Sequence, residues 1–225
     1  MSNNIHSVDE ALEHAELFRV SIFGSARTQP GSKEYEDTFK LGQMLAESGV
    51  GVVTGGGPGQ MDAANAGHES IDPEGTNSIG LTIELPWEGE HNEHLDIYKH
   101  FAKFGDRLDH FMALSNAVVI SPGGIGTCLE FFYTLQLTQV RHICPIPIIL
   151  MDPMWESLND WLKGQPVDRG FVSPKDLNNI FVVNTPEEAL EIIKQTKSAF
   201  DAGGGEVCAN AQVYKLDTFG KKNVK

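Results

Sequence analysis

The ten residues Ser121-Pro122-Gly123-Gly124-Ile125-Gly126-Thr127-Cys128-Leu129-Glu130 constrain this chain most. The apolar run Ala117-Val118-Val119-Ile120 precedes them, and Phe131-Phe132-Tyr133-Thr134-Leu135 follows. That order reads strand, glycine turn, helix. Three glycines in four positions let the backbone approach a ligand where a Cβ would clash. The helix start presents free N–H groups and a positive dipole end, both suited to a phosphate. Glu130 falls about one turn inside the helix, where it can face the same pocket. The competing reading is a packed turn in an α/β core with an ordinary exposed glutamate.

The pattern repeats along the chain. Strands are expected at 19–23, 50–54, 77–85, 97–101, 117–120, 146–151 and 181–183. Helices are expected over 7–17, 33–48, 60–69, 105–115, 126–139 and 153–163, with another starting at Thr185-Pro186. Ser7 and Thr185 are natural N-caps, and Pro186 suits the first helical position. Alternating strands and helices imply an α/β fold, a doubly wound and mainly parallel sheet with helices on both faces. No linker or internal repeat interrupts the pattern. The expectation is one domain over 1–225, with its core at about 19–195 and a loose tail from Ala202. Residues 86–96, which include Trp87, form a polar loop that could cover a ligand or meet a second subunit.

A formal charge of −14 over 225 residues disfavours a nucleic-acid polymer as partner. A small anion is still acceptable where glycine turns and one arginine converge. No apolar run reaches membrane-spanning length. Cys128, Cys144 and Cys208 form no CxxC pair and cannot all be paired within one chain, which suits a reducing, cytoplasmic setting. His91, His94, His100, His110 and His142 read as surface or loop histidines rather than a metal-ligand set.

There is no GxxxxGK[ST]. The dinucleotide fingerprint is also incomplete: Gly55-Gly56-Gly57-Pro58-Gly59-Gln60 ends in Gln, and neither glycine turn follows the first strand. Three loops nevertheless end neighbouring strands and could surround one nucleoside monophosphate. Their candidate phosphate contacts are Gly24 and Ser25, then Gly56, Gly57 and Gly59, then Gly123, Gly124, Ile125, Gly126 and Thr127. Ser25 could instead cap a turn, and Thr127 is expected to cap its helix. Met61 is either a lining residue of the base pocket or a core filler. Cys128 is expected to be a buried, inert thiol. The apolar residues of 131–140 could serve the core or a subunit interface.

Gly55-Gly56-Gly57-Pro58-Gly59-Gln60-Met61-Asp62-Ala63-Ala64-Asn65 and Pro122-Gly123-Gly124-Ile125-Gly126-Thr127-Cys128-Leu129-Glu130 resemble the LOG ("Lonely Guy") family. Many of its members carry a lysine decarboxylase label. The second stretch fits the family's PGGxGTxxE pattern, and the similarity covers about residues 19–195. The resemblance implies a Rossmann-like fold, a homodimer, and hydrolysis of the N-glycosidic bond of a nucleoside 5′-monophosphate such as AMP or a cytokinin riboside monophosphate. Its products would be a free base and ribose 5-phosphate. It implies Arg107 and Glu130 as the catalytic pair, with no cofactor and no metal. This chain departs from the family at Leu108, where lysine is frequent, at Leu129, where a second acid is frequent, and at Gln136, where threonine is frequent. The alternative is a non-catalytic nucleotide or molybdenum-cofactor carrier, since such carriers resemble the same family. A decarboxylase would need a pyridoxal-phosphate lysine, and no lysine here stands in a recognisable cofactor motif.

Overall fold

The computed structural model describes residues 5–72, 78–83, 91–203 and 210. Trp87, residues 86–90 of the polar loop and most of the tail lie outside the described residues. Seven strands form one sheet: β1 (Arg19–Phe23), β2 (Gly51–Thr54), β3 (Ser78–Ile83), β4 (Ile97–Phe101), β5 (Ala117–Ile120), β6 (Ile148–Met151) and β7 (Ile180–Val183). Their order is β4-β3-β2-β1-β5-β6-β7, and every neighbouring pair is parallel. The fold is therefore the expected Rossmann-like one, wholly rather than mainly parallel.

The helices are α1 (Val8–Glu13), α2 (Lys33–Glu47), α3 (Gln60–Glu69), α4 (Phe104–Leu114), α5 (Ile125–Gln139), α6 (Glu156–Leu162) and α7 (Pro186–Asp201). Strand alternation sorts the core into two layers. Val118 and Ile120 of β5 join Phe111 and Phe131 in a cluster beneath α4 and α5. Ala117 and Val119 of the same strand join Leu41, Leu45 and Ile193 beneath α2 and α7. The central strands are buried on both faces, which explains why β5 reads as a continuous apolar run rather than an alternating one.

Element boundaries moved where local capping decided them. Ser7 caps α1 by accepting from the N–H of Glu10, but the helix ends at Glu13 rather than near residue 17. Ser32 and Thr185 cap α2 and α7 through their side chains, and Pro186 occupies the first turn of α7. The helix expected from Pro153 begins as a short 3₁₀ turn, continues as α6 and ends in a π-type turn containing Pro166. His110 is not a surface histidine: it is 1% exposed, and its Nδ1 lies 2.7 Å from the Asp106 carbonyl. Cys128 is free and only half-buried, not the buried thiol expected. Cys144 is disulfide-bonded, which removes the cysteine-based argument for a reducing compartment. Among the described residues, no helix is long and apolar enough to cross a membrane.

Candidate active site

The chain leaves β1 toward β2 on one side and returns to place β5 on the other. The loops after β1 and β5 therefore diverge at their carboxyl ends, where open α/β sheets form a ligand crevice. The loop after β2 packs beside them. Backbone bonds stitch the three together: the Ser25 N–H donates to the Pro122 carbonyl at 3.1 Å, and the Gln60 N–H donates to the Ser25 carbonyl at 3.1 Å. The Gln60 side chain, 1% exposed, completes the knot by donating to the Pro122 carbonyl at 2.9 Å and to Thr28 Oγ1 at 3.1 Å. A Cβ on Gly24 would lie 2.2 Å from Gln60 Oε1, and one on Gly59 would lie 2.4 Å from the Ser25 carbonyl. These two glycines are there because loop packs on loop.

A second polar network holds the β2 turn open. Thr54 Oγ1 donates to Asn65 Oδ1 at 2.7 Å and accepts from the Gly56 N–H at 3.0 Å. Asn92 donates from its backbone to the Gly56 carbonyl at 2.8 Å and from Nδ2 to the Gly57 carbonyl at 3.1 Å. The Gly56 N–H is thus committed to Thr54, which removes it from the candidate phosphate donors. Gly56 and Gly59 have φ of +70° and +69°, a region that other residues enter only with strain. Sequence reasoning assigned no role to Gln60, Asn65 or Asn92. Gln60 and Asn65 are buried and Asn92 half-buried; their bonded amides act between loops far apart in the chain, and only the motif containing Gln60 and Asn65 hinted at them.

Across the β2 turn stand the two residues named as catalytic. Arg107, 7% exposed, rises from the first turns of α4. Its Nε donates to the Leu81 carbonyl at 2.6 Å, and its guanidinium carbon lies 5.3 Å from the centre of the Phe111 ring. Phe111 in turn packs edge-on against Phe23, with centroids 4.7 Å apart. Such an aromatic pair contributes about 0.5–1.5 kcal/mol beyond its burial. Arg107 Nη1 is 3.9 Å from Oε1 of Glu130, whose side chain is 14% exposed. Gly55 gives this pair its room: a Cβ there would fall 2.3 Å from Arg107 Nη2 and 2.6 Å from Met61 Sδ. Met61 therefore sits beside the guanidinium at the site rather than serving as a core filler.

The start of α5 borders the same pair. Its N-cap is Gly124, with no side-chain cap, so Thr127 is not the capping residue. Thr127 is buried beneath Gly123, whose Cβ would lie 2.1 Å from Thr127 Oγ1. Gly124 and Gly126 have nothing within 4 Å of a built Cβ, so their open side faces unoccupied space. An uncapped helix start with open glycines offers N–H groups to an anion. The Ile125 side chain is 87% exposed. Ser25 Oγ accepts from the Arg27 N–H at 3.1 Å, so it does cap a turn, and its hydroxyl proton is left to donate. A separate cleft of about 480 Å³ opens between Thr28, Tyr35, Pro58, Asp62 and Asn92; neither Arg107 nor Glu130 lines it.

Residues 60–193 match the profile of the family described as "possible lysine decarboxylase". The chain is 30% identical over 184 residues to a probable cytokinin riboside 5′-monophosphate phosphoribohydrolase (LOGL5) of Oryza sativa subsp. japonica, covering 76% of this chain and 70% of that one. The chain belongs to the LOG family. A pyrimidine/purine nucleotide 5′-monophosphate nucleosidase of Escherichia coli K12 is 28% identical over 127 residues; these make up 53% of this chain but only 28% of that protein. Among solved structures, the molybdenum cofactor binding protein of Rippkaea orientalis superimposes with a TM-score of 0.59 at 21% identity. The match covers 80% of this chain and 95% of that one. The molybdenum cofactor carrier protein of Chlamydomonas reinhardtii gives the same TM-score and identity over 81% and 99%. At that identity the two carriers attest the fold alone. Within this LOG-family chain, the motif's last glutamate and the arginine of the preceding helix are the pair that meet at 3.9 Å. The family's relatives at sequence level are named for hydrolysis of nucleotide 5′-monophosphates.

Proposed function

We propose that this protein hydrolyses the N-glycosidic bond of a nucleoside 5′-monophosphate, giving the free base and ribose 5-phosphate. The observation that carries the reading is the meeting of Arg107 and Glu130 beside the open, uncapped start of α5. Cleavage of a ribose–base bond develops positive charge at C1′ and its ring oxygen. The Glu130 carboxylate faces that charge and can orient the attacking water. The phosphate rests on the N–H groups around Gly124 and Gly126, with Thr127 beneath. Arg107, locked by Leu81 and Phe111, offers its remaining N–H groups to the phosphate or to the departing base.

The test is chromatography of base released from a panel of nucleoside 5′-monophosphates and the matching nucleosides. Wild type is expected to release base from a monophosphate and not from its nucleoside, with Glu130→Gln slower by about a hundredfold or more. Tight nucleotide binding without any base release would instead make the protein a carrier. The same reading takes the protein as a homodimer. On α5 the residues Ile125, Leu129 and Phe132, followed by Val140, form an exposed apolar stripe beside the site, while Phe131, Leu135 and Leu137 are core. Phe132→Glu is expected to shift the mass measured by light scattering from dimer to monomer; an unchanged mass refutes that interface.

A further inference from the structure

Arg107 and Glu130 come from α4 and α5, helices that succeed one another in the chain but are separated by β5 and its glycine turn. Their 3.9 Å approach depends on how the two helices roll and slide against each other. Much of the layer beneath them is apolar: Leu108, Phe111, Met112, Phe131 and Leu135 are all buried. Apolar packing is non-directional, so a polar bond between the helices adds a directional constraint that burial alone does not supply. Besides the Arg107–Glu130 approach itself, a directional contact crosses from helix to helix. The Tyr133 hydroxyl on α5 donates to Oδ1 of Asp109 on α4.

The placement of this bond is what gives it meaning. Tyr133 follows Glu130 by three residues, so the two share a face of α5. Asp109 follows Arg107 by two on α4. Both partners are half-buried, and the Tyr133 ring packs against the core cluster beneath the helices. A phenol donating to a carboxylate forms one of the shorter and stronger protein hydrogen bonds. We infer that Tyr133 and Asp109 are a positioning pair: their bond fixes α4 against α5 and thereby sets the approach of Arg107 to Glu130. Neither residue is placed on the substrate. Both act through the helix that carries the catalytic side chain. The consequence for turnover rests on the hydrolase reading above; the consequence for geometry does not.

Tyr133→Phe keeps the ring and removes the donor. Asp109→Ala removes the acceptor, and Asp109→Asn restores an acceptor oxygen. Loosening the pair is expected to lower kcat for a nucleoside monophosphate about tenfold, since misplacement by about 1 Å can cost about a hundredfold. KM is expected to stay within about twofold. Asp109→Ala should match Tyr133→Phe, Asp109→Asn should recover most of the loss, and the double variant Tyr133→Phe/Asp109→Ala should be no slower than either single one. A wild-type kcat in Tyr133→Phe, or a change confined to KM, overturns the proposal. Crystal structures of wild type and Tyr133→Phe decide it separately from catalysis. The Arg107–Glu130 separation is expected to change by about 0.5 Å or more, the tolerance within which catalytic groups need to be held. An unchanged separation overturns the pair's role even in an active enzyme. A wild type that releases no base counts against the hydrolase reading alone, and the structural comparison still decides the pair.

Discussion

Gly55→Ala is the most direct probe of the site, because the structure states what the new methyl group would strike. Gly55 does not sit in the left-handed region, so alanine can adopt its backbone conformation without strain. The added Cβ would lie 2.3 Å from Arg107 Nη2 and 2.6 Å from Met61 Sδ, whereas ordinary contact begins at 3.4 Å. The thioether can yield by changing rotamer. The guanidinium cannot yield so easily, being held by its 2.6 Å bond to the Leu81 carbonyl and by Phe111. Clearing the overlap requires 3.4 − 2.3 = 1.1 Å of relative movement. Misplacement by about 1 Å costs about a hundredfold in rate, or roughly 2.7 kcal/mol of barrier. Overpacking of this kind costs about 1–3 kcal/mol of stability, or a Tm lower by several degrees in a chain of this size. The assay is base release, read as kcat/KM, with a thermal melt alongside. Gly105→Ala on α4 is the control, since its Cβ would meet nothing within 4 Å. The reasoning is refuted if folded Gly55→Ala keeps kcat/KM within about twofold of wild type.

Two further outcomes follow from the same structure. Gly126→Ala replaces a helical glycine whose Cβ would enter open space, so stability should rise by about 0.5–1 kcal/mol while nucleotide binding, read by calorimetry, weakens about tenfold or more; unchanged affinity would show that the phosphate does not rest on this turn. His68 is fully buried, and that burial holds its pKa below the ordinary 6.5, opposed by its bond to the Val50 carbonyl. Burial also lowers His110. The folded state then binds fewer protons than the unfolded one, so this stability is complete above about pH 6.5 and is lost as pH falls from there toward the folded pKa, at no more than about 1.4 kcal/mol per pH unit per histidine. Urea midpoints from pH 7.5 to 5 should fall, and His68→Gln should flatten the slope; a midpoint that rises as pH drops contradicts the assignment.

Much of this was legible in the chain itself. The apolar run at 117–120 marked a central strand, because a strand buried on both faces need not alternate with polar positions. Ser7 and Thr185 could be recognised as caps because capping is local, spanning three residues. The glycine turns were visible, but what each glycine does was not. Gly24, Gly59 and Gly123 make room for neighbouring residues, whereas Gly124 and Gly126 face open space. A composition rule cannot distinguish these two uses, since only packing against distant residues excludes a Cβ at the first three. Thr127 was misread as a cap for a similar cause. Its hydroxyl is buried under Gly123, and the helix begins two residues earlier, with Gly124 as its N-cap.

By itself, the sequence determined the fold class, nominated the three crevice loops and, through its resemblance to a known family, nominated Arg107 and Glu130 as candidates. These depend on periodicity, turn chemistry and motif, all carried by residues close together in the chain. Tertiary structure alone decided that Gln60 ties three loops, that Met61 lies against the guanidinium, and that Tyr133 reaches Asp109 across two helices. Those contacts join residues from 24 to 62 positions apart or meet through a third residue's missing Cβ. No local propensity encodes them, because they exist only once the sheet has set the separation and roll of the helices that carry them.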